Sequence, residues 1–169
     1  EGLAAVERLA PLYVRLGDAY MEEGKTEQAV SCYEEAIRHD GADIFAHLGL
    51  ASALAERGDA EAAKRHVLGQ CARFADNSEY WLNAGKWLLT HPFADEEEGK
   101  QLALSWLENG LRLAEFDAEE AYEFYVDQLT TPALRERGRA FLEQLVAARP
   151  RLAPAHSALG VVYEQQSRP

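Results

Sequence analysis

The chain has 169 residues, 47% of them apolar, and its 17 Lys and Arg against 29 Asp and Glu leave a formal charge of −12. That length and apolar content suit a chain with a sizeable core, not a disordered acidic tail. The acidic excess argues against nucleic acid and against an anionic membrane surface, both of which need a basic patch, and no run of about 18 apolar residues is present to insert into a bilayer.

Residues 1–9, EGLAAVERL, read as a lead-in helix or the end of a preceding repeat, and an opening on Glu1 instead of Met reads as a piece of something longer. From residue 10 onward apolar residues recur at i, i+3, i+4 and i+7, with little Pro or Gly inside long stretches and no convincing alternation, which predicts helices and no strands. The predicted helices run over 10–23, 26–40, 44–57, 60–75, 78–90, 96–114, 118–130, 132–148 and 153–166, with 167–169 as a tail. His91-Pro92 should end the fifth helix, because the residue before a proline avoids the helical region. Asp95 and Glu98 have the spacing of a capping box for the sixth.

The helices repeat. Residues 10–43 laid over 44–77 set Leu16 on Leu50, Gly17 on Ala51, Tyr20 on Leu54, Gly24 on Gly58 and Ala29 on Ala63, a constant shift of 34. Further starts fall near 78, 119 and 153; the step from 78 to 119 is seven residues longer, with the excess near 90–100. RLGDAY at 15–20 and ALGVVY at 158–163 are thus the same helix in the first and last units. One helical hairpin cannot bury its apolar face alone, whereas stacked copies bury a continuous core.

The pattern resembles the tetratricopeptide repeat family, whose 34-residue unit is a pair of antiparallel helices, A and B. Repeat 1 carries the family's marks at Tyr13, Leu16, Gly17, Tyr20, Ala29, Tyr33 and Ala36; repeat 2 carries Leu50, Ala51, Leu54 and Ala63; Pro150 stands at position 32 of repeat 4. The resemblance covers residues 10–166 and implies an all-α, right-handed superhelical stack of antiparallel helix pairs, about four repeats plus a closing helix, which is either a cap or the first helix of a truncated repeat. Small residues at positions 8 and 20 should let the paired helices approach, so Gly17 should face Ala29, and Ala51 should face Ala63. In repeat 4 the large Val126 should be offset by Gly138, because packed interiors leave little slack.

No chemistry-bearing constellation accompanies the repeat: there is no GxSxG, HExxH or phosphate-cradling glycine loop. His39, His47, His66, His91 and His156 make no metal pair at tight helical spacing. His47 and His156, at position 4, are expected to be core or half-buried, and His91 a solvated loop residue. Tyr13, Tyr20, Trp81, Tyr122, Tyr125 and Tyr163 fall at packing positions and are expected in the core. Neighbouring acids such as Glu34 and Glu35 point in different directions on a helix and make poor acid–base pairs. Cys32 and Cys71 form no CxxC and read as free buried thiols in a reducing compartment. A cytoplasmic location is therefore favoured, with the periplasm as the alternative. Neither enzyme activity, metal nor cofactor is expected.

In the family, helix A positions 2, 5, 6, 9, 12 and 13 commonly line a concave groove. The resemblance therefore implies a partner-binding set of Arg15, Asp18, Phe45, Leu48, Ser52, Glu79, Leu82, Asn83, Lys86, Glu123 and Asp127. Acids outnumber bases and apolar residues are interspersed. This implies a non-catalytic module binding a basic, apolar protein or peptide segment, without nucleic acid and without membrane insertion. The alternative is a spacer or scaffold within a larger enzyme or secretion-apparatus protein. Val14, Asp18, Gly49, Glu79 and Asn83 stand where one type of family member carries the Lys, Arg and Asn residues that clamp a peptide's terminal carboxylate, so that clamp is not expected here. Phe45 is the expected apolar anchor, the competing expectation being that it packs between repeats.

Overall fold

The computed structural model describes residues 9–91, 96–114 and 118–167. These form nine helices and no strand, in two compact units that divide between Ala75 and Asp76.

The first unit holds α1 (Leu9–Glu22), α2 (Thr26–His39), α3 (Ile44–Glu56) and α4 (Ala60–Gln70). α1 pairs with α2 and α3 with α4, while α3 also packs on both helices of the first pair. The two A helices, α1 and α3, end in the same way. Gly24 (φ 70°) and Gly58 (φ 93°) are the left-handed residues among those described. Gly24 N–H donates to the Met21 carbonyl and Lys25 N–H to Tyr20; Gly58 N–H donates to Ala55 and Asp59 N–H to Leu54. This reversed pair of bonds satisfies carbonyls that the helix end leaves open, and the positive φ it needs favours glycine. The starts of α3 and α4 are capped by carboxylates: Asp43 accepts from Phe45 and Ala46 N–H at 2.9 and 3.0 Å, and Asp59 from Ala62 N–H at 3.1 Å.

α4 stops at Gln70, short of the expected 75. Arg73 and Phe74 N–H both turn back to the Gln70 carbonyl, which brings the buried Phe74 ring edge-on to His47 at 5.6 Å. His47 is 4% exposed, as its packing position requires. Its Nε2 lies 3.0 Å from the Gly41 carbonyl and its Nδ1 lies 3.0 Å from Nε2 of His66. Because a carbonyl can only accept, His47 carries its proton on Nε2 and accepts from His66 through Nδ1.

Ala29, Val30, Tyr33, Leu50 and Ala53 form the core of this unit. The space above Gly17 is filled by Tyr33. A Cβ added at Gly17 would lie 2.7 Å from Tyr33 Cε1, and one at Gly49 would collide with the same ring. The Tyr33 ring therefore lies between two backbone stretches kept bare by glycine. Ala29 is itself fully buried.

The second unit holds α5 (Ser78–Thr90), α6 (Glu96–Leu113), α7 (Glu119–Asp127), α8 (Pro132–Ala148) and α9 (Ala153–Ser167). α5 and α6 form the closest pair, α7 packs on α6, and α9 packs on both α7 and α8. Asn77 accepts from Tyr80 N–H at 2.8 Å to start α5, and Thr131 from Leu134 N–H at 3.2 Å to start α8, where Pro132 sits at the first position that tolerates it. Helix α6 spans 18 residues, against 14 for α2, 11 for α4 and 17 for α8. Asp95 of the expected capping box lies outside the described residues. His91 is not a free loop residue; its N–H caps α5 on the Trp87 carbonyl at 3.0 Å and its ring stacks on Trp87 at 4.5 Å.

Leu104, Leu107, Leu111, Tyr122, Tyr125, Phe141, Leu142 and Val162 fill this core. Arg137 closes one side of it with a fork onto Glu108, Nε to Oε1 at 2.9 Å and Nη2 to Oε2 at 3.0 Å, and the Tyr125 hydroxyl donates to the same carboxylate at 2.8 Å. Burial and that carboxylate raise the Tyr125 phenol above its ordinary range. Gly138 makes room for Leu129. Two position assignments on α9 differ from expectation. Tyr163 is 45% exposed, donating to Glu143 at 2.7 Å, and His156 is exposed with Nε2 2.9 Å from the Pro150 carbonyl. Of the cysteines, Cys32 is buried and Cys71 half-buried, and neither is in a disulfide. No described helix is long and apolar enough to cross a membrane.

Candidate partner-binding surface

Three hollows open beside the A helices, and together they collect all eleven candidate residues. The first, about 550 Å³, lies between α1 and α3 and gathers Arg15, Asp18, Phe45, Leu48 and Ser52, with Pro11, Val14, Asp43 and Gly49 completing the lining. Phe45 sits in the first turn of α3, its N–H tied to Asp43. Phe45 is 53% exposed. Asp18 accepts a 2.7 Å hydrogen bond from the Tyr33 hydroxyl; burial first, and this carboxylate second, push that phenol well above its ordinary value. A neutral donor orients Asp18 without cancelling its charge, so the rim keeps two carboxylates against one guanidinium.

The second hollow, about 540 Å³, contains Glu79, Leu82, Asn83 and Lys86 of α5. Here several candidates are engaged within the fold. Leu82 packs onto Gly110, where an added Cβ would come within 2.6 Å of its Cγ. Asn83 Nδ2 donates to the Glu79 carbonyl at 2.9 Å. Lys86 Nζ lies 5.2 Å from the centre of the Phe124 ring, a cation–π contact.

The third hollow, about 290 Å³, lies between α7 and α9 and holds Glu123 and Asp127 together with Glu119. Its other wall is Pro154, Ser157, Ala158 and Val161 of α9. Sequence reasoning misses that wall because it treats the closing helix as a cap or a truncated repeat, and misses Asp43 because a capping residue precedes position 1 of the repeat. The four-residue spacing of Glu119, Glu123 and Asp127 is a signal that could have found the acidic edge. Tyr122, also at this hollow, is 2% exposed, and its Oη has no hydrogen-bond partner among the described residues. Among the described residues no three His, Cys, Asp or Glu side chains are grouped to hold a metal ion. Each hollow offers apolar contact, charge and hydrogen bonding to a segment laid in it.

Stacked antiparallel helix pairs, joined by short turns and repeated in sequence at 34 residues, define an all-α helical-repeat protein of the solenoid class. Residues 17–58 match the family model described as TPR repeat. The chain is similar in fold to PilF of Pseudomonas aeruginosa, with 16% identity and a TM-score of 0.60 over 98% of this chain and 71% of that one. It is similar also to TTC0263, a thermophilic TPR protein of Thermus thermophilus, with 21% identity and a TM-score of 0.53 over 94% and 84% of the two chains. No curated protein sequence matches it significantly. Residues 17–58 thus carry the tetratricopeptide repeat, and the described helices have the all-α solenoid fold of these structural neighbours. Such repeats generally mediate protein–protein interaction or scaffolding and are typically non-catalytic.

Proposed function

We propose that the chain is a non-catalytic interaction module that holds a basic and apolar protein segment along the open side of its A helices. The observation that supports this most directly is Phe45: a large ring half in solvent, set among Pro11, Val14 and Leu48 and rimmed by Asp18 and Asp43. An exposed aromatic with apolar neighbours gains most from being covered, and aromatic anchors in such settings dominate interface energies. The charge of −12 steers a cationic segment toward this surface.

A displayed peptide library selected on the immobilised chain tests this. Selected sequences should be enriched in Lys, Arg and large apolar residues, and Phe45→Ala should weaken their binding by roughly 1–3 kcal/mol, chiefly through faster dissociation, with its melting temperature unchanged. Selection of acidic or neutral sequences, or full affinity in Phe45→Ala, would leave the spacer reading in its place.

A further inference from the structure

The cleft between α7 and α9 is more specific in its chemistry than the rest of the surface. Glu119, Glu123 and Asp127 follow one another at four-residue intervals along one edge of α7, each step rising about 6 Å. All three are exposed, and none has an ion-pair or hydrogen-bond partner among the described residues. The facing wall, Pro154, Ser157, Ala158 and Val161, brings no charge to offset them, and Val161 is 44% exposed. Like charges at i, i+4 repel one another. Asp127 closes α7, where the negative end of the helix dipole adds to its burden. The cleft is thus an apolar trough with an uncompensated acidic wall.

We propose that this cleft seats a basic amphipathic helix of a partner protein, with Lys or Arg at i, i+4 and i+8 against the α7 edge and an apolar stripe against Val126, Ala158 and Val161. The inference rests on the interaction-module reading above and specifies the occupant of one part of its surface. The helical form follows from directions. Val126 and Asp127 are successive helical residues and point about 100° apart, so the apolar floor and the acidic wall adjoin instead of opposing each other. A helix offers adjoining stripes at that angle, whereas a strand offers two rows on opposite faces. The trough between two neighbouring helices also suits a third, as in other helix-in-groove docking.

The test uses a synthetic helical peptide of about 18 residues, long enough to be partly helical alone, with a Leu stripe and three Lys at successive i, i+4 positions. Its isomer has the same composition with the Lys residues at i, i+2 and i+4. Titrated against the whole chain, the patterned peptide should bind about tenfold or more tighter than the isomer and gain helicity on binding. Combined Glu119→Gln, Glu123→Gln and Asp127→Asn should erase that difference, with the melting temperature retained. Equal binding of the two isomers, or an undiminished preference in the triple variant, overturns the proposal. If Phe45→Ala and not the triple variant abolishes binding, the cleft assignment fails while the interaction-module reading survives; if the peptide binds to neither surface at millimolar concentration, both fail.

Discussion

His47 and His66 satisfy each other in a site that penalises charge. Burial, and next the charge of His47, push His66 down to about 4 from its ordinary 6.5. His47 is lowered by burial and by Arg73, against the opposing pull of the Gly41 carbonyl, Asp43 and Asp40. Both rings therefore take up protons more readily in the unfolded chain. Their contribution is complete above pH 6.5 and is lost as pH falls from there toward 4. Going from about pH 7.5 to about pH 5, the urea stability of the native chain should drop by about 1–2 kcal/mol more than that of His66→Gln; parallel losses in the two proteins would show that the pair is not titrating. Tyr122 makes the opposite kind of case. Its buried hydroxyl lacks a partner among the described residues, so Tyr122→Phe should be neutral or stabilising by up to about 1 kcal/mol, and a clear loss in a denaturant melt would reveal a hydrogen bond formed in solution.

At the scale of the element, the paired glycine stops of α1 and α3 set where each chain reversal begins. Gly24→Ala and Gly58→Ala each ask an L-residue to hold a positive φ and should cost about 1 kcal/mol or more apiece, with no steric contribution, because the space around both Cβ positions is open. Equal stability of either variant would mean that the turn relaxes freely. These glycines also show why the helices are legible: Leu16, Gly24 and Ala29 recur 34 residues on as Leu50, Gly58 and Ala63, and periodicity with stop signals fixes α1 to α3 and α5 closely. The pattern overruns α4 because the pull of Phe74 onto His47 is a tertiary contact that no local window contains. The partners of Gly17 and Gly138 escape it for a related reason. A repeat alignment says which positions must be small, but not which neighbouring side chain fills the space.

For the molecule as a whole, a charge of −12 distributed over 169 residues acts mainly on encounter. Association with a basic partner should slow several-fold between about 50 and about 300 mM salt, while dissociation changes little; a salt-independent association rate would remove steering from the account. How far the surface can be read in advance differs by residue. Arg15, Asp18, Phe45, Leu48 and Ser52 converge on one hollow because the family's helix A positions already encode a common face. Leu82 and Lys86 are less transparent, since Gly110 and Phe124, which engage them, come from α6 and α7. Charge of the right sign at the right position does not reveal whether it is already committed within the fold.

Tyr33, seated between Gly17 and Gly49, has a consequence for how this sequence can change over time. A methyl group at either glycine meets the ring, so Gly17→Ala or Gly49→Ala alone should be costly, while the same change after Tyr33→Leu should be much milder. A double-mutant cycle on Gly17 and Tyr33 should return a coupling of roughly 1–3 kcal/mol, whereas additive effects would show that the ring simply swings aside. The three positions are epistatic: the route to an alanine at 17 or 49 runs through the loss of the tyrosine first. That loss would also release Asp18 from its hydroxyl partner, so drift in the interior would be registered on the binding face.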